Sequence, residues 1–281
     1  MDFSFSGEQD DLRREARAFL EANPSPTMEQ LAELGWVGML QSGEFSFLDG
    51  AVLFEEVGRV LYAGPFVLNE VAGQPGDEIW SIEIDGYVPH LAQVQRVLTP
   101  SMEAASAQGE TVATVDETLG LGRVSADGVE RASGDWADVR RRLLAALALE
   151  AVGIGSKAVE LAVDYAKERE QFGRKIGAYQ AISHSLVDAY VAVELARSLA
   201  YWAAWAVAEG DEQADLAAAA AKSQAAEAAV LACEKSIQAH GGIGFTWEHP
   251  LHRYYKRALW LEGVLGYGRE QRAEIAASLL R

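Results

Sequence analysis

Two glycine-containing segments in the C-terminal half of the chain carry residues suited to binding a phosphorylated ligand. The first is REQFGRKIGAYQ, residues 169–180, and the second is QAHGGIG, residues 238–244. A pyrophosphate group needs a fixed cation and backbone N–H donors. Arg169 can supply the cation and the turn at Gly241 and Gly242 the donors, because glycine permits positive φ angles and close approach to the backbone.

Other side chains in the same segments suit the remainder of such a ligand, although every one of these residues also has a purely structural interpretation. Phe172 can pack against apolar ligand surface, and Gln180 and Gln238 offer amide donors and acceptors. Alternatively, Arg169 is a solvated charge at a helix end, the two glycines terminate a helix, and Phe172 belongs to the core.

The composition describes an acidic protein of ordinary hydrophobicity. The 281 residues include 24 Lys and Arg against 42 Asp and Glu, which gives a formal charge of -18. Such a surface repels nucleic acid and anionic membranes, so we expect neither as a partner. The single Cys233 excludes an internal disulfide and a cysteine-based metal site, and we expect it in the core of a cytoplasmic protein without a metal. We identify no signal peptide and no membrane-spanning run.

Helical patterns that must position these residues dominate both ends of the sequence. Ser6 and Gln9 form a capping-box pattern before the first helix, and further helices are predicted at about 27–34 and 48–60. Residues 1–76 are therefore predicted to form an N-terminal helical domain. Ala-rich amphipathic stretches at 140–170, 182–209, 215–240 and 248–280 predict an antiparallel four-helix bundle over 138–281.

The middle region, 77–137, has a different texture and predicts a short β domain. Its apolar runs, such as IWSIEI, VQRVLT and TVATV, alternate with Gly-containing turn signals. The three regions together predict a mainly α fold with a small β component.

These motifs resemble those of the acyl-CoA dehydrogenases, FAD enzymes that oxidise the α,β bond of acyl-CoA thioesters. The resemblance rests on REQFGRKIGAYQAISHSLVD, on EKSIQAHGGIGFTWEHPLHRYYKRA, and on the N-terminal strings FSGEQDDLRREARAFL, LAELGWVGM and FEEVGR. It covers nearly the whole chain and implies the same three-part fold. It also implies an acyl-CoA substrate and an electron-transferring flavoprotein as electron acceptor.

The resemblance implies that FAD is the ligand of the two glycine-containing segments. In the family these positions lie at a subunit interface, where they hold the ADP half of an FAD bound mainly by the neighbouring chain. The order RxQFG, then Gln, then QxxGGxG at this spacing favours the binding interpretation over the structural one. The residues that inherit this role are Arg169, Gln171, Phe172, Gln180, Gln238, Gly241 and Gly242.

The position of the family's catalytic base is occupied by a residue that accepts no proton. The base commonly lies in a Tyr-Glu-Gly-Thr-like segment beyond the GGxG motif, and here VLGYG aligns with that segment, placing Leu265 at the base and Tyr267 at the Thr. Glu262, one helical turn earlier, and Glu150, on the first bundle helix, are alternative bases. Glu262 can equally be a surface charge or cap, and Glu150 a member of a polar network.

The middle region also lacks the family's Thr-Glu/Asp-Pro-x-x-Gly-Ser-Asp-like loop, which hydrogen-bonds the flavin ring. A chain that keeps the ADP-binding motifs but loses that loop and the base can still complete a site on another chain. The sequence thus resembles the short non-catalytic subunit of bacterial heteromeric α2β2 acyl-CoA dehydrogenases, some of which act on bulky, steroid-derived thioesters. A self-sufficient homomeric enzyme with a displaced base and a non-enzymatic scaffold with the same fold stay open.

Overall fold

Helices form most of residues 5–124 and 129–280, the part of the chain that the computed structural model describes. The helices are α1 (Gly7–Ala22), α2 (Met28–Glu33), α3 (Met39–Ser42), α4 (Phe47–Arg59), α5 (Phe66–Ala72), α6 (Trp136–Glu168), α7 (Gln180–Ala208), α8 (Ala214–His240), α9 (Leu251–Gly263) and α10 (Gly268–Leu279). The strands are β1 (Trp80–Ile82), β2 (Arg96–Leu98), β3 (Glu103–Ser106), β4 (Gly109–Thr111), β5 (Gly122–Val124), β6 (Glu130–Arg131), β7 (Glu170–Gln171) and β8 (Arg174–Lys175). The predicted mainly α fold is confirmed.

The three N-terminal helices that the sequence predicts are present as α1, α2 and α4, and side-chain caps set where they begin. Ser6 accepts a hydrogen bond from the amide of Gln9, whose side chain accepts one from the amide of Ser6, so the capping box is confirmed. The sequence analysis did not predict α3 and α5. Both are too short to show a helical period, and every residue of α5 is buried, which removes the polar face.

A close contact between α4 and α6 fixes the interior of the molecule. A Cβ atom on Gly58 of α4 would lie 2.3 Å from the carbonyl oxygen of Glu150, and one on Gly153 of α6 would lie 2.1 Å from that of Glu55. Only glycine allows the two backbones to approach this closely. The contact therefore sets the depth at which Glu150 lies in the fold.

The middle region forms two small sheets. The larger has the strand order β1-β2-β3-β6, in which β1 and β2 are parallel and the other pairs antiparallel, while β4 and β5 pair separately. The runs IWSIEI and VQRVLT contain β1 and β2 as predicted. TVATV contributes only Thr111 to a strand, because residues 112–115 lie in the loop that follows β4.

The C-terminal helices α6, α7 and α8 run alternately up and down, and the predicted fourth helix is in fact two. The break lies at residues 264–267, where Leu265 and Gly266 have φ angles of 58° and 93°. Such left-handed residues cannot continue a right-handed helix. The break separates α9 from α10 and presents Leu265 in a loop.

One hydrophobic core connects all three regions, with Ala16 from the N-terminal helices, Ile82 from the sheet and Leu147 from α6 in the same cluster. The domain boundaries at 76/77 and 137/138 stay predictions. None of the helices in the described ranges is long and apolar enough to cross a membrane.

Candidate cofactor-binding end and the loop of Leu265

One end of the bundle, here called the hairpin end, brings the two glycine-containing segments together. It comprises the last turn of α6, the β7–β8 hairpin, the first turn of α7, the last turn of α8 and the 3₁₀ turn Gly241–Phe245. A small apolar cluster of Ala166, Ile176, Leu186 and Ala239 joins these segments. All seven residues predicted to bind the cofactor lie there: Arg169, Gln171, Phe172, Gln180, Gln238, Gly241 and Gly242.

Aromatic stacking also ties the two long helices together at this end. The ring of Tyr165 on α6 stacks on His240 of α8 with 4.4 Å between ring centroids. Nδ1 of His240 lies 2.8 Å from the carbonyl oxygen of Ser236. Burial lowers the pKa of His240, an effect that this backbone hydrogen bond opposes. His240 therefore serves packing at this end.

Arg169 is an exposed cation at the hairpin end. Its side chain makes no ion pair or hydrogen bond with another residue in the described ranges, whereas Lys175 nearby is paired with Glu170 at 2.8 Å. In a chain of formal charge -18, an unpaired guanidinium is available for an anionic ligand. Gln180 and Gln238 are likewise exposed.

Phe172 is not a core residue, since 93% of its surface is exposed. It occupies the first position of the two-residue turn between β7 and β8, with φ of 51°, and Gly173 follows with φ of 79°. A turn with two positive φ angles favours Asn or Asp at the first position, so Phe is costly there. An exposed aromatic ring held at such a cost points to a role in binding.

The glycine turn ends α8 and leaves its backbone accessible. Gly241 has φ of 63° and ψ of -137°, and its amide bonds the carbonyl oxygens of the last helical turn. The structural interpretation of this residue is confirmed because it caps the helix, while its role in binding stays a prediction. Apart from the local backbone and the adjacent residues, no atom in the described ranges lies within 4 Å of a Cβ built on Gly241 or Gly242.

Three exposed apolar side chains beside this turn were missed by the sequence analysis. Ile243, Phe245 and Trp247 are 46%, 75% and 72% exposed. The string GGIGFTW contains the signal, since three large apolar residues occur there outside any predicted helix. Several exposed apolar groups in one short segment are typical of a binding surface.

The loop of Leu265 is hydrogen-bonded to the middle region. The amide of Leu265 donates a 2.9 Å hydrogen bond to Oδ2 of Asp85, and its carbonyl accepts a 2.7 Å bond from Nε2 of Gln271. Asp85 and Gly86 form the tight turn between Ile84 and Tyr87. Both backbone polar groups of Leu265 are therefore bonded, and its side chain accepts no proton.

Glu262, the first alternative base, is half-buried at the end of α9. Its charge faces Lys222 of α8, which is only 1% exposed. Burial lowers the pKa of Lys222 to about 8, although the charges of Glu262 and Asp85 oppose this change. Glu262 is thus one member of a charge cluster with this amine.

Glu150, the second alternative base, is held in a buried ion pair. Its Oε1 lies 2.5 Å from Nη1 of Arg257, whose Nε also bonds Oδ2 of Asp116 at 2.7 Å. Nη2 of Arg257 donates to the hydroxyl of Thr118 at 2.7 Å. Burial lowers the pKa of Arg257, but the two carboxylates outweigh it and raise the pKa overall. The structure thus agrees with the polar-network interpretation of Glu150.

The space around Glu150 is almost filled. A cavity lined by Tyr62, His90, Leu119 and Glu150 has a volume of about 20 Å³, which is enough for one water molecule. Burial and the charge of Arg257 lower the pKa of His90 to about 3, so His90 is neutral there. An acyl chain does not fit this cavity.

Comparison with known proteins gives consistent results. Residues 139–280 match the family model described as acyl-CoA dehydrogenase, C-terminal domain. The acyl-CoA dehydrogenase IpdE2 of Mycobacterium tuberculosis is 34% identical over 250 residues, which cover 80% of this chain and 74% of that protein.

Two solved structures share the fold over nearly the whole chain. A chain of the ChsE4–ChsE5 complex from M. tuberculosis has a TM-score of 0.83 at 23% identity, with 100% of this chain and 99% of that chain covered. A chain of the Tcur3481–Tcur3483 steroid ACAD has a TM-score of 0.80 at 23% identity, with 97% and 98% covered. The predicted fold class is confirmed.

Proposed function

The chain belongs to the acyl-CoA dehydrogenase family, and we propose that it is the subunit of an FAD-dependent acyl-CoA dehydrogenase that completes the FAD site of a catalytic partner chain. Bound FAD would supply the hydride acceptor for oxidation of the α,β bond of an acyl-CoA thioester. The partner would supply the base and the contacts to the flavin ring. Two copies of each chain would form an α2β2 assembly, with an electron-transferring flavoprotein as electron acceptor.

The residues of the hairpin end fit the ADP half of FAD. Arg169 is free to pair with the pyrophosphate, and the open backbone at Gly241 and Gly242 allows that group to approach. Phe172 offers an exposed ring for an apolar or aromatic surface. Gln171, Gln180 and Gln238 supply amide groups to the same surface.

The observation that carries the proposal is the distance between the exposed hairpin end and the loop of Leu265, whose backbone is hydrogen-bonded to Asp85 and Gln271. Lys222, which faces the Asp85 turn beside that loop, lies 18 residues before His240 on α8. At 1.5 Å per residue this is a separation of about 27 Å. The cofactor-binding residues therefore serve a site away from the chain's own loop, as expected if another chain contributes the rest.

Three features weaken the case for an active site within this chain. Leu265 stands at the base position, Glu150 is neutralised by Arg257, and the cavity beside Glu150 holds about one water molecule. Without a base, the chain needs a partner for chemistry. The scaffold alternative leaves the unpaired Arg169 beside an open glycine turn without an explanation.

The comparisons support a partner of unlike sequence and a bulky substrate. ChsE4–ChsE5 is a complex of two differently named chains, and the Tcur3481–Tcur3483 pair is described as a steroid ACAD. We extend both properties to this chain as part of the proposal: an unlike catalytic partner, and a steroid-derived or similarly bulky acyl-CoA.

The test is a visible absorption spectrum of the chain purified alone and after coexpression with the longer homologue encoded nearest to it, with subunit masses measured on both samples. Flavin bound only in the mixed oligomer is the expected result. In that oligomer Arg169→Ala should lose flavin while Arg269→Ala, at an 89% exposed side chain far along the sequence, should keep it. Stoichiometric flavin in the chain alone, or no flavin in either sample, would overturn the proposal.

A further inference from the structure

A second surface, on the side of the bundle, is exposed and apolar. Val187, Tyr190, Val191 and Leu195 of α7 are 55%, 54%, 47% and 59% exposed. Their spacing of three, four and eight residues from Val187 places them on one face of the helix. These four residues are here called the α7 stripe.

A groove between α6 and α7 extends the stripe. It has a volume of about 470 Å³, and its walls are the side chains of Val159, Val163, Ala166, Leu186, Val187 and Tyr190. Monomeric proteins rarely expose a continuous apolar surface of this kind unless it binds something. A helix that presents apolar residues to a neighbour would fill such a groove.

We propose that the α7 stripe and its groove bind an apolar helical face of the catalytic partner chain. This inference rests on the proposed function, whose cofactor site lies at the hairpin end. The groove reaches that end, because Lys175 of β8 and Gly177 line its mouth. A chain that covers Phe172 and Gln171 therefore also meets the mouth of the groove.

The size of the interface supports the same occupant. A stable complex needs roughly 20–30 residues from each side. The seven cofactor-binding residues and the three apolar side chains at Ile243, Phe245 and Trp247 fall short of that number. The α7 stripe with its groove extends the contact toward the size of a stable interface.

Net charge disfavours the other simple occupant, a second copy of this chain. Each copy carries a formal charge of -18, and a high net charge of one sign opposes self-association. An unlike chain need not carry the same charge.

The test uses the double variant Val191→Asp/Leu195→Asp of the full chain, coexpressed with the same longer homologue. Two buried unpaired carboxylates in the interface should raise the Kd of the mixed oligomer at least about tenfold. Val115→Asp is the matched control, since Val115 is 74% exposed in the middle region. Circular dichroism and Tm of each variant alone verify the fold, and Leu195→Ala offers a milder change at the same place.

Four outcomes distinguish this inference from a homodimer and from failure of the proposed function. Loss of assembly in the stripe variant with normal assembly in the control supports the inference. Undiminished assembly in the stripe variant overturns it while leaving the proposed function intact. A homodimer of the wild-type chain that the stripe variant abolishes also overturns it, because the occupant is then a second copy. If the wild-type chain forms no mixed oligomer, the proposed function falls, and this inference falls with it.

Discussion

The backbone amide of Leu265 donates a hydrogen bond to the carboxylate of Asp85 at 2.9 Å, across 180 residues of sequence. The bond joins the loop between α9 and α10 to the tight turn after β1. It satisfies an amide of a residue with φ of 58°, a conformation that costs a leucine roughly 1–2 kcal/mol. The middle region therefore does more than link two helical parts, because it holds the loop that we propose to correspond to the position of the family's base.

Restoring a carboxylate at the base position should not create an enzyme. We expect Leu265→Glu to leave the chain alone without flavin and without turnover, because the sequence lacks the family's flavin-ring loop and Asp85 repels a second carboxylate. Turnover of an acyl-CoA with an artificial electron acceptor is the measurement. Activity in the isolated variant would show that only the base was missing.

Glu150 should act in stability and not in proton transfer. We expect Glu150→Gln to keep turnover of the mixed oligomer within about twofold, and to lower the free energy of unfolding by about 1–3 kcal/mol, because Arg257 loses one charged partner. Urea unfolding and steady-state rates on the same samples check both effects. Glu262→Gln tests the half-buried alternative in the same assay, and we expect it to keep turnover as well. A loss of turnover of several hundredfold in either variant would identify a displaced base.

We expect Phe172 to lower the stability of the chain and to contribute to flavin binding. Asparagine adopts a positive φ more readily than phenylalanine, and the ring gives up little buried surface because it is 93% exposed. We therefore expect Phe172→Asn to raise the Tm of the isolated chain, because the free energy of unfolding rises by about 1 kcal/mol. Flavin content of the mixed oligomer should fall in the same variant. Equal stability and full flavin content would mean that Phe172 has no role in binding.

Much of the fold was predictable from local patterns, and the parts that were not have physical causes. Capping boxes and apolar periodicity located α1, α2 and α4, because both signals lie within a few residues. The break after α9 was missed, since Leu265 adopts its left-handed conformation through a distant carboxylate and not through a local glycine alone. Buried α5 lacked the polar face that reveals a helix.

The candidate site was likewise only partly predictable from the sequence. Residue types and order predicted that Arg169 and the glycine turn bind an anion, and the structure brings the two segments to the same end of the bundle, but their role in binding stays a prediction. The partner of Glu150 was not predictable, since Arg257 lies 107 residues away and only the packing of α4, α6 and α9 joins the two. The hydrogen bond between Leu265 and Asp85 was equally unpredictable from the sequence. Contacts between distant segments decide whether a carboxylate is free to act.

Lys222 provides a test of the charge cluster beside Leu265. Its amine is only 1% exposed, and burial lowers its pKa from 10.5 to about 8. The native state therefore binds this proton less readily than the unfolded state does. The free energy of unfolding is therefore higher above pH 10.5, where the amine is neutral in both states. It falls as the pH drops from 10.5 toward 8, and it stays lower at neutral pH. The size of the shift corresponds to roughly 3 kcal/mol.

We accordingly expect Lys222→Met to raise the free energy of unfolding near pH 7 by up to about 3 kcal/mol, and by less than half of that near pH 9.5. Urea unfolding at the two pH values measures the difference. Lys235→Met, at a half-buried position on the same helix, should show no comparable dependence on pH. Destabilisation by Lys222→Met that is equal at both pH values would show that Glu262 and Asp85 hold a fully charged amine in the native state. In that case the cluster would stabilise the loop of Leu265 through ion pairing, and Lys222 would not lower the free energy of unfolding.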